Sequence, residues 1–147
     1  MKKFFYISMI CVMLISIIQV SAQQSASEGQ GEPDNKMLFA YQRNFARGSL
    51  STKVQVLQDA ASRETSGMGK LYMQAVQFYL DNFSTLREDP TAIELVKLAS
   101  RLVGEARYTP ATSALWSLFT ESEDIGIQVA AVQSIGRLIE PGDQLLY

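Results

Sequence analysis

The sequence predicts an all-α domain of antiparallel helices joined by short turns, and three observations carry that prediction. From Asn35 to Ile139 the apolar residues recur at three- and four-residue spacing, and no stretch alternates apolar and polar residues as a strand would. Asp89-Pro90 and Thr109-Pro110 each set a capping residue directly before a proline, where the first helical position has no need of an N–H. Two of the later helices also share one residue template, 32 residues apart from Gly104 to Gly136. A period of that size signals a helical-repeat array.

The elements follow in order. Asn35 is a suitable N-cap for a first helix carrying Met37, Phe39, Tyr41 and Phe45, with Gly48 just past its end. A second helix runs from about Ser51 to Arg63 with Val54, Leu57 and Ala61 on one stripe, and a third from about Gly67 to Leu80 with Leu71, Ala75, Phe78 and Tyr79. Residues 81–88 read as a fraying helix end and a loop. The two proline starts give helices at about Pro90 to Ala106 and Pro110 to Glu121. Asp124 caps a last helix from Ile125 to about Ile139, which Pro141-Gly142 stops.

Ahead of this domain stands a different kind of segment. Lys2-Lys3, an apolar run from Phe4 to Ile18, and Val20-Ser21-Ala22 with small residues at the first and third positions form the three parts of a secretory signal. Cleavage is expected before Gln23, giving a signal peptide at 1–22, a disordered linker at 23–34 without large apolar residues, and a helical domain at 35–147. The expected location is therefore exported, periplasmic or secreted. The alternative is an uncleaved anchor holding a structural envelope protein, since the apolar run approaches the ~17-residue lower limit for spanning. In that case membrane contact is through the N-terminal segment alone.

Composition narrows the chemistry. The chain has no histidine, and its one cysteine, Cys11, lies mid-run in the signal rather than at a lipoprotein site. The mature chain of about 125 residues is long enough for one domain and excludes disulfides, thiolate chemistry and histidine- or cysteine-ligated zinc. It also lacks the residues for a Ser-His or Cys-His nucleophile pair. Losing Lys2 and Lys3 takes the formal net charge from −2 to about −4, which argues against nucleic acid or anionic lipid as a partner.

The shared template reads Ala92 to Gly104 in one helix and Asp124 to Gly136 in the other. Both carry a branched residue at the fourth position (Leu95, Ile127), alanine at the eighth (Ala99, Ala131), a branched residue at the twelfth (Val103, Ile135) and glycine at the thirteenth. Small residues let helices approach and branched ones fill the gaps. Ser51 to Arg63 is a weaker copy, with Val54 at the branched position and Gln58 where alanine is expected.

Residues Ala111 to Leu138 resemble a HEAT repeat, in particular the HEAT-like type named from phycobilisome lyases. The first helix matches at Ala111, Leu115, Leu118 and Phe119, the acidic turn is Glu121-Ser122-Glu123, and the second helix matches at Asp124, Ile127, Ala131, Ile135, Gly136 and Leu138. It departs at Gln128, where the family often has arginine, and at Ser134, where it often has alanine. The resemblance implies a short α-solenoid of antiparallel helix pairs whose second helices line a partner-binding side. On the matched helices, Lys97, Arg101, Gln128, Gln133 and Arg137 are the polar residues that would reach a protein or peptide. The function expected is a non-enzymatic binding or scaffold module without a cofactor. The family also contains phycobilin lyases, which makes a chromophore-handling enzyme the alternative.

Other constellations have plainer explanations. Glu121, Glu123 and Asp124, and Glu88-Asp89, lack calcium-loop spacing, and Asp89 and Asp124 are placed as helix caps. Gly67-Met68-Gly69-Lys70 lacks the strand and spacing of a phosphate loop and reads as a flexible helix start. Tyr72, Phe78, Tyr79, Phe83 and Trp116 fit a core better than a ligand groove. No catalytic, cofactor or metal residues are therefore assigned. After Ile139 only Glu140 to Tyr147 remains, ending Leu145-Leu146-Tyr147, too short to cover a helix. A stacked array needs a cap at its last repeat, so the C-terminal end is expected to expose apolar surface and to self-associate, bind a partner, or mark a truncated relative of a longer protein.

Overall fold

The computed structural model describes residues 32–63 and 67–139, and all of it that is regular is helical. The signal peptide, most of the linker and the tail from Glu140 onward lie outside the described residues. The chain divides into two compact units, Met1–Lys36 and Met37–Tyr147. Of the first, only the opening turn of one helix is described.

The helices are α1 Glu32–Arg47, α2 Leu50–Ser62, α3 Gly69–Asp81, α4 Phe83–Leu86, α5 Pro90–Glu105, α6 Thr112–Glu121 and α7 Ile125–Ile139. None of them is long and apolar enough to cross a membrane. Their starts are set by local chemistry. Ser49 caps α2, its Oγ accepting from the Thr52 N–H at 3.3 Å. Asp89 Oδ1 accepts from the N–H groups of Thr91 and Ala92 at 2.8 and 3.0 Å, and Asp124 Oδ1 accepts from Ile127 N–H at 2.8 Å. Each satisfies donors that the first helical turn leaves free.

Three boundaries differ from the sequence reading. The first helix starts at Glu32, so Asn35 lies inside it and is no cap. Residues 83–86, expected as loop, form the one-turn helix α4, with Phe83 and Leu86 packed against the core. Thr109-Pro110-Ala111 is a 3-10 turn, and the α-helix begins at Thr112, whose Oγ1 donates to the Thr109 carbonyl at 2.7 Å.

In the unit from Met37 onward, α5 is central. It packs against α7 on one side, α2 on the other and α3 beneath, while α6 packs against α7 and α3. α2, α5 and α7 thus lie side by side, with α3 and α6 behind α5 and α7. The template positions face inward: Leu95, Ala99, Val103, Ile127, Ala131 and Ile135 are all buried. Burying each of the larger ones is worth about 1.5–3 kcal/mol. Gly104 is the close contact, since a Cβ there would come within 3.0 Å of the Ser134 Cα. Ser134 Oγ donates to the Ser100 carbonyl at 2.6 Å across the same seam.

In α2, Val54 is buried as the weaker copy expects, but Gln58 is exposed and Leu57 beside it is fully buried; Lys53 is buried as well. Lys53 is buried because it ends α1. Its ammonium donates to the carbonyls of Phe45, Ala46 (3.4 Å) and Gly48 (2.8 Å), and lies 4.8 Å from the ring centres of Phe45 and Phe78. A cation at a helix C-terminus meets both the free carbonyls and the negative dipole end.

Candidate functional site

The row formed by α2, α5 and α7 carries an open groove of about 650 Å³. Its floor is apolar, with Ile93 and Leu98 from α5 and Val129 and Ala130 from α7. Its rim is cationic and polar: Lys97 and Arg101 rise from α5, Gln133 and Arg137 from α7, and Gln58 from α2. Lys97, Arg101 and Gln133 fall on one side of their helices because they repeat at one-turn spacing or lie beside the seam at Gly104 and Ser134.

Four of the five residues chosen from sequence therefore converge. Gln128 does not join them. Its Nε2 donates to the Ser122 carbonyl at 2.8 Å and approaches the Phe119 carbonyl at 3.5 Å, closing the end of α6. The sequence signal for this is the turn itself: a long amide one turn into α7 lies over carbonyls that α6 leaves without partners.

The groove's electrostatics are set by two arrangements. Glu105 Oε1 sits 3.7 Å from Arg101 Nε and 3.6 Å from Arg137 Nη1, linking the ends of α5 and α7. All three side chains are substantially exposed, so each pair contributes at most about 1 kcal/mol, with one carboxylate shared by both guanidinium groups over the seam. Lys97 reaches α7 at Gly126, where a Cβ would come within 2.6 Å of its Nζ. The missing side chain at Gly126 thus makes room for the ammonium. With Glu94 the acidic residue among the lining, the groove is cationic on a chain whose formal net charge is −2.

The remaining sequence candidates fall elsewhere. Asp89 and Asp124 are occupied as caps, Glu121 and Glu123 are exposed, and among the described residues no three His, Cys, Asp or Glu side chains group as metal ligands. Gly67 adopts φ +84°, Met68 is buried, and Gly69 seats the Tyr108 ring where a Cβ would clash. That segment is a packing turn rather than a phosphate cradle. Tyr72 and Tyr79 are core, Phe78 and Phe83 half-buried, and Trp116 exposed against Phe119 in a T-shaped pair at 5.9 Å.

Sequence reading missed a second depression, about 640 Å³, between α1, α2 and α3 around Phe45, Lys53, Met73 and Phe78. Burial lowers the Lys53 pKa from its ordinary 10.5. Burial likewise raises the phenols of Tyr72 and Tyr79 above their ordinary 10.0. On the α1–α2 contact, Tyr41 donates to Asp59 Oδ2 at 2.6 Å, and this bond, with a lesser one from Arg63, holds the Asp59 carboxyl below its usual range. Compared with known proteins, the chain matches no family model, no curated protein and no solved structure.

Proposed function

We propose that the chain is an exported, non-catalytic binding module, built as a short HEAT-like α-solenoid, which engages a protein or peptide through the groove along α2, α5 and α7. One observation carries the reading: Lys97, Arg101, Gln133 and Arg137, from two helices and two repeats, border one groove with an apolar floor. An apolar floor with a polar rim is the arrangement that protein-recognition surfaces use. The paired order supports the solenoid reading, with α3/α5 and α6/α7 as successive pairs and α2, α5 and α7 side by side. So does the burial of equivalent template positions in α5 and α7. Export rests on the signal-like residues 1–22. A cationic groove of this size excludes neither end of a bound segment, so an extended or helical peptide fits, with carboxylates meeting Lys97, Arg101 and Arg137.

The test is capture from the envelope fraction with the wild-type chain and a Lys97→Glu/Arg137→Glu variant. Both side chains are exposed, so the variant should keep its melting temperature. The partner bound by wild type should be depleted at least tenfold with the variant. Equal recovery by both would refute the groove as the binding surface.

A further inference from the structure

Among the described residues, no helix packs on the outer face of α7. Ile125, Val129, Val132 and Ile139 are between 45% and 75% exposed, and they form one stripe along the helix. Gly136 completes it. The side of α7 that packs on α5 carries Ser134, which lies roughly 200° around the helix from Val132. Ile125, Val132, Gly136 and Ile139 are therefore on the far side from α5, where a further helix in the row would lie, and Val129 stands at the stripe's edge beside the groove.

The template sharpens this. Gly104 on α5 has no side chain because Ser134 of α7 occupies the space, at 3.0–3.1 Å from where a Cβ would be. Gly136 is its counterpart on α7, and a Cβ there would meet nothing within 4 Å. α7 repeats the docking notch of α5 with the notch empty.

We propose that a second copy of this chain fills it, through antiparallel pairing of α7 with α7 about a two-fold axis at Val132. The stripe is self-complementary in that direction. Its 4-3-4-3 spacing (125, 129, 132, 136, 139) puts Ile125 level with Ile139 of the other copy, and Val129 opposite the bare Gly136. A branched side chain then enters the notch that glycine leaves open. The stripe carries no charge, so a copy facing itself meets no like-charge repulsion there. The antiparallel arrangement also opposes the two helix dipoles. A 15-residue helix is about 22 Å long. One such face buries on the order of 800–1,000 Å² in total, at the lower end for specific association, so the dimer should be weak and reversible.

Sedimentation equilibrium on the full chain should show a reversible monomer–dimer system, and Val132→Glu should raise its dissociation constant at least tenfold with helicity unchanged. In a C11S background, V132C places the new thiols at the two-fold axis and should form an interchain disulfide many times faster than Q133C, which points toward the groove. A monomer throughout the high-micromolar range would overturn the proposal. So would dimerisation unaffected by Val132→Glu, or assembly into open-ended oligomers. Dimerisation that appears only after residues 141–147 are deleted would also overturn it, by making that segment the natural occupant.

Discussion

Gly104 and Gly136 hold the same template position in α5 and α7, and replacing each with alanine should have opposite consequences. In a helix interior alanine is favoured over glycine by about 1 kcal/mol. At Gly136 nothing lies within 4 Å of the new Cβ, so the gain is kept, reduced toward roughly 0.5–1 kcal/mol because the helix ends three residues later. At Gly104 the Cβ would sit 3.0 Å from the Ser134 Cα and 3.1 Å from its Cβ and Oγ. Two of those are not the far end of a flexible side chain, so α5 and α7 must separate by a few tenths of an ångström. Overpacking of this kind costs about 1–3 kcal/mol, which outweighs or cancels the propensity gain. Gly104→Ala is therefore expected to be neutral to about 2 kcal/mol destabilising, and Gly136→Ala stabilising. Urea denaturation of the dilute protein, monitored by helical circular dichroism, separates them through the midpoint at constant m. Equal shifts of the same sign would show that the α5–α7 seam is not the tight contact described.

The seam also distinguishes two serines: Ser134→Ala removes a buried bond to the Ser100 carbonyl and should cost about 1 kcal/mol. Ser100→Ala should be neutral or stabilising, because its own Oγ is buried without a partner among the described residues; midpoints from the same urea series check both. Ala131→Leu should cost roughly 1–3 kcal/mol and Gln133→Leu less than about 0.5, as one is fully buried and the other exposed, and equal melting shifts would contradict that orientation of α7. Alkaline pH should destabilise the fold. The Tyr72 and Tyr79 phenols have folded pKa values raised above 10.0 by burial, so their contribution is complete below pH 10 and is lost as pH rises through those values. Lys53 acts the other way, its lowered pKa making stability rise with pH just below 10.5. The expected net result is that the tyrosinate absorbance of two phenols appears together with loss of helix, rather than before it.

The parts of the fold legible in sequence were those with a local chemical cause. Asp89-Pro90 and Asp124 start helices where their side chains meet free N–H groups, and the branched-alanine-branched spacing in α5 and α7 marks residues that are in fact buried. The all-helical class followed from the same periodicity. What was missed depended on contacts between segments. Lys53 reads as a surface residue until the last carbonyls of α1 are brought over it. The start of α1 at Glu32 lies in a stretch without large apolar residues, where periodicity is silent. At the site, Lys97, Arg101, Gln133 and Arg137, selected by their spacing, line one groove. Gln128 has the same polarity, and only the neighbouring end of α6 turns it away.

Site-specific photocrosslinking tests the binding-module reading most directly. A photoreactive residue in place of Gln133 lies on the groove, and one in place of Thr120 lies on exposed α6, outside the groove lining. In the envelope of producing cells the Gln133 position should yield a discrete adduct, abolished by Lys97→Glu/Arg137→Glu, while the Thr120 position yields none. Adducts from Thr120 that match or exceed those from Gln133, or a Gln133 adduct indifferent to the charge reversals, would contradict the account.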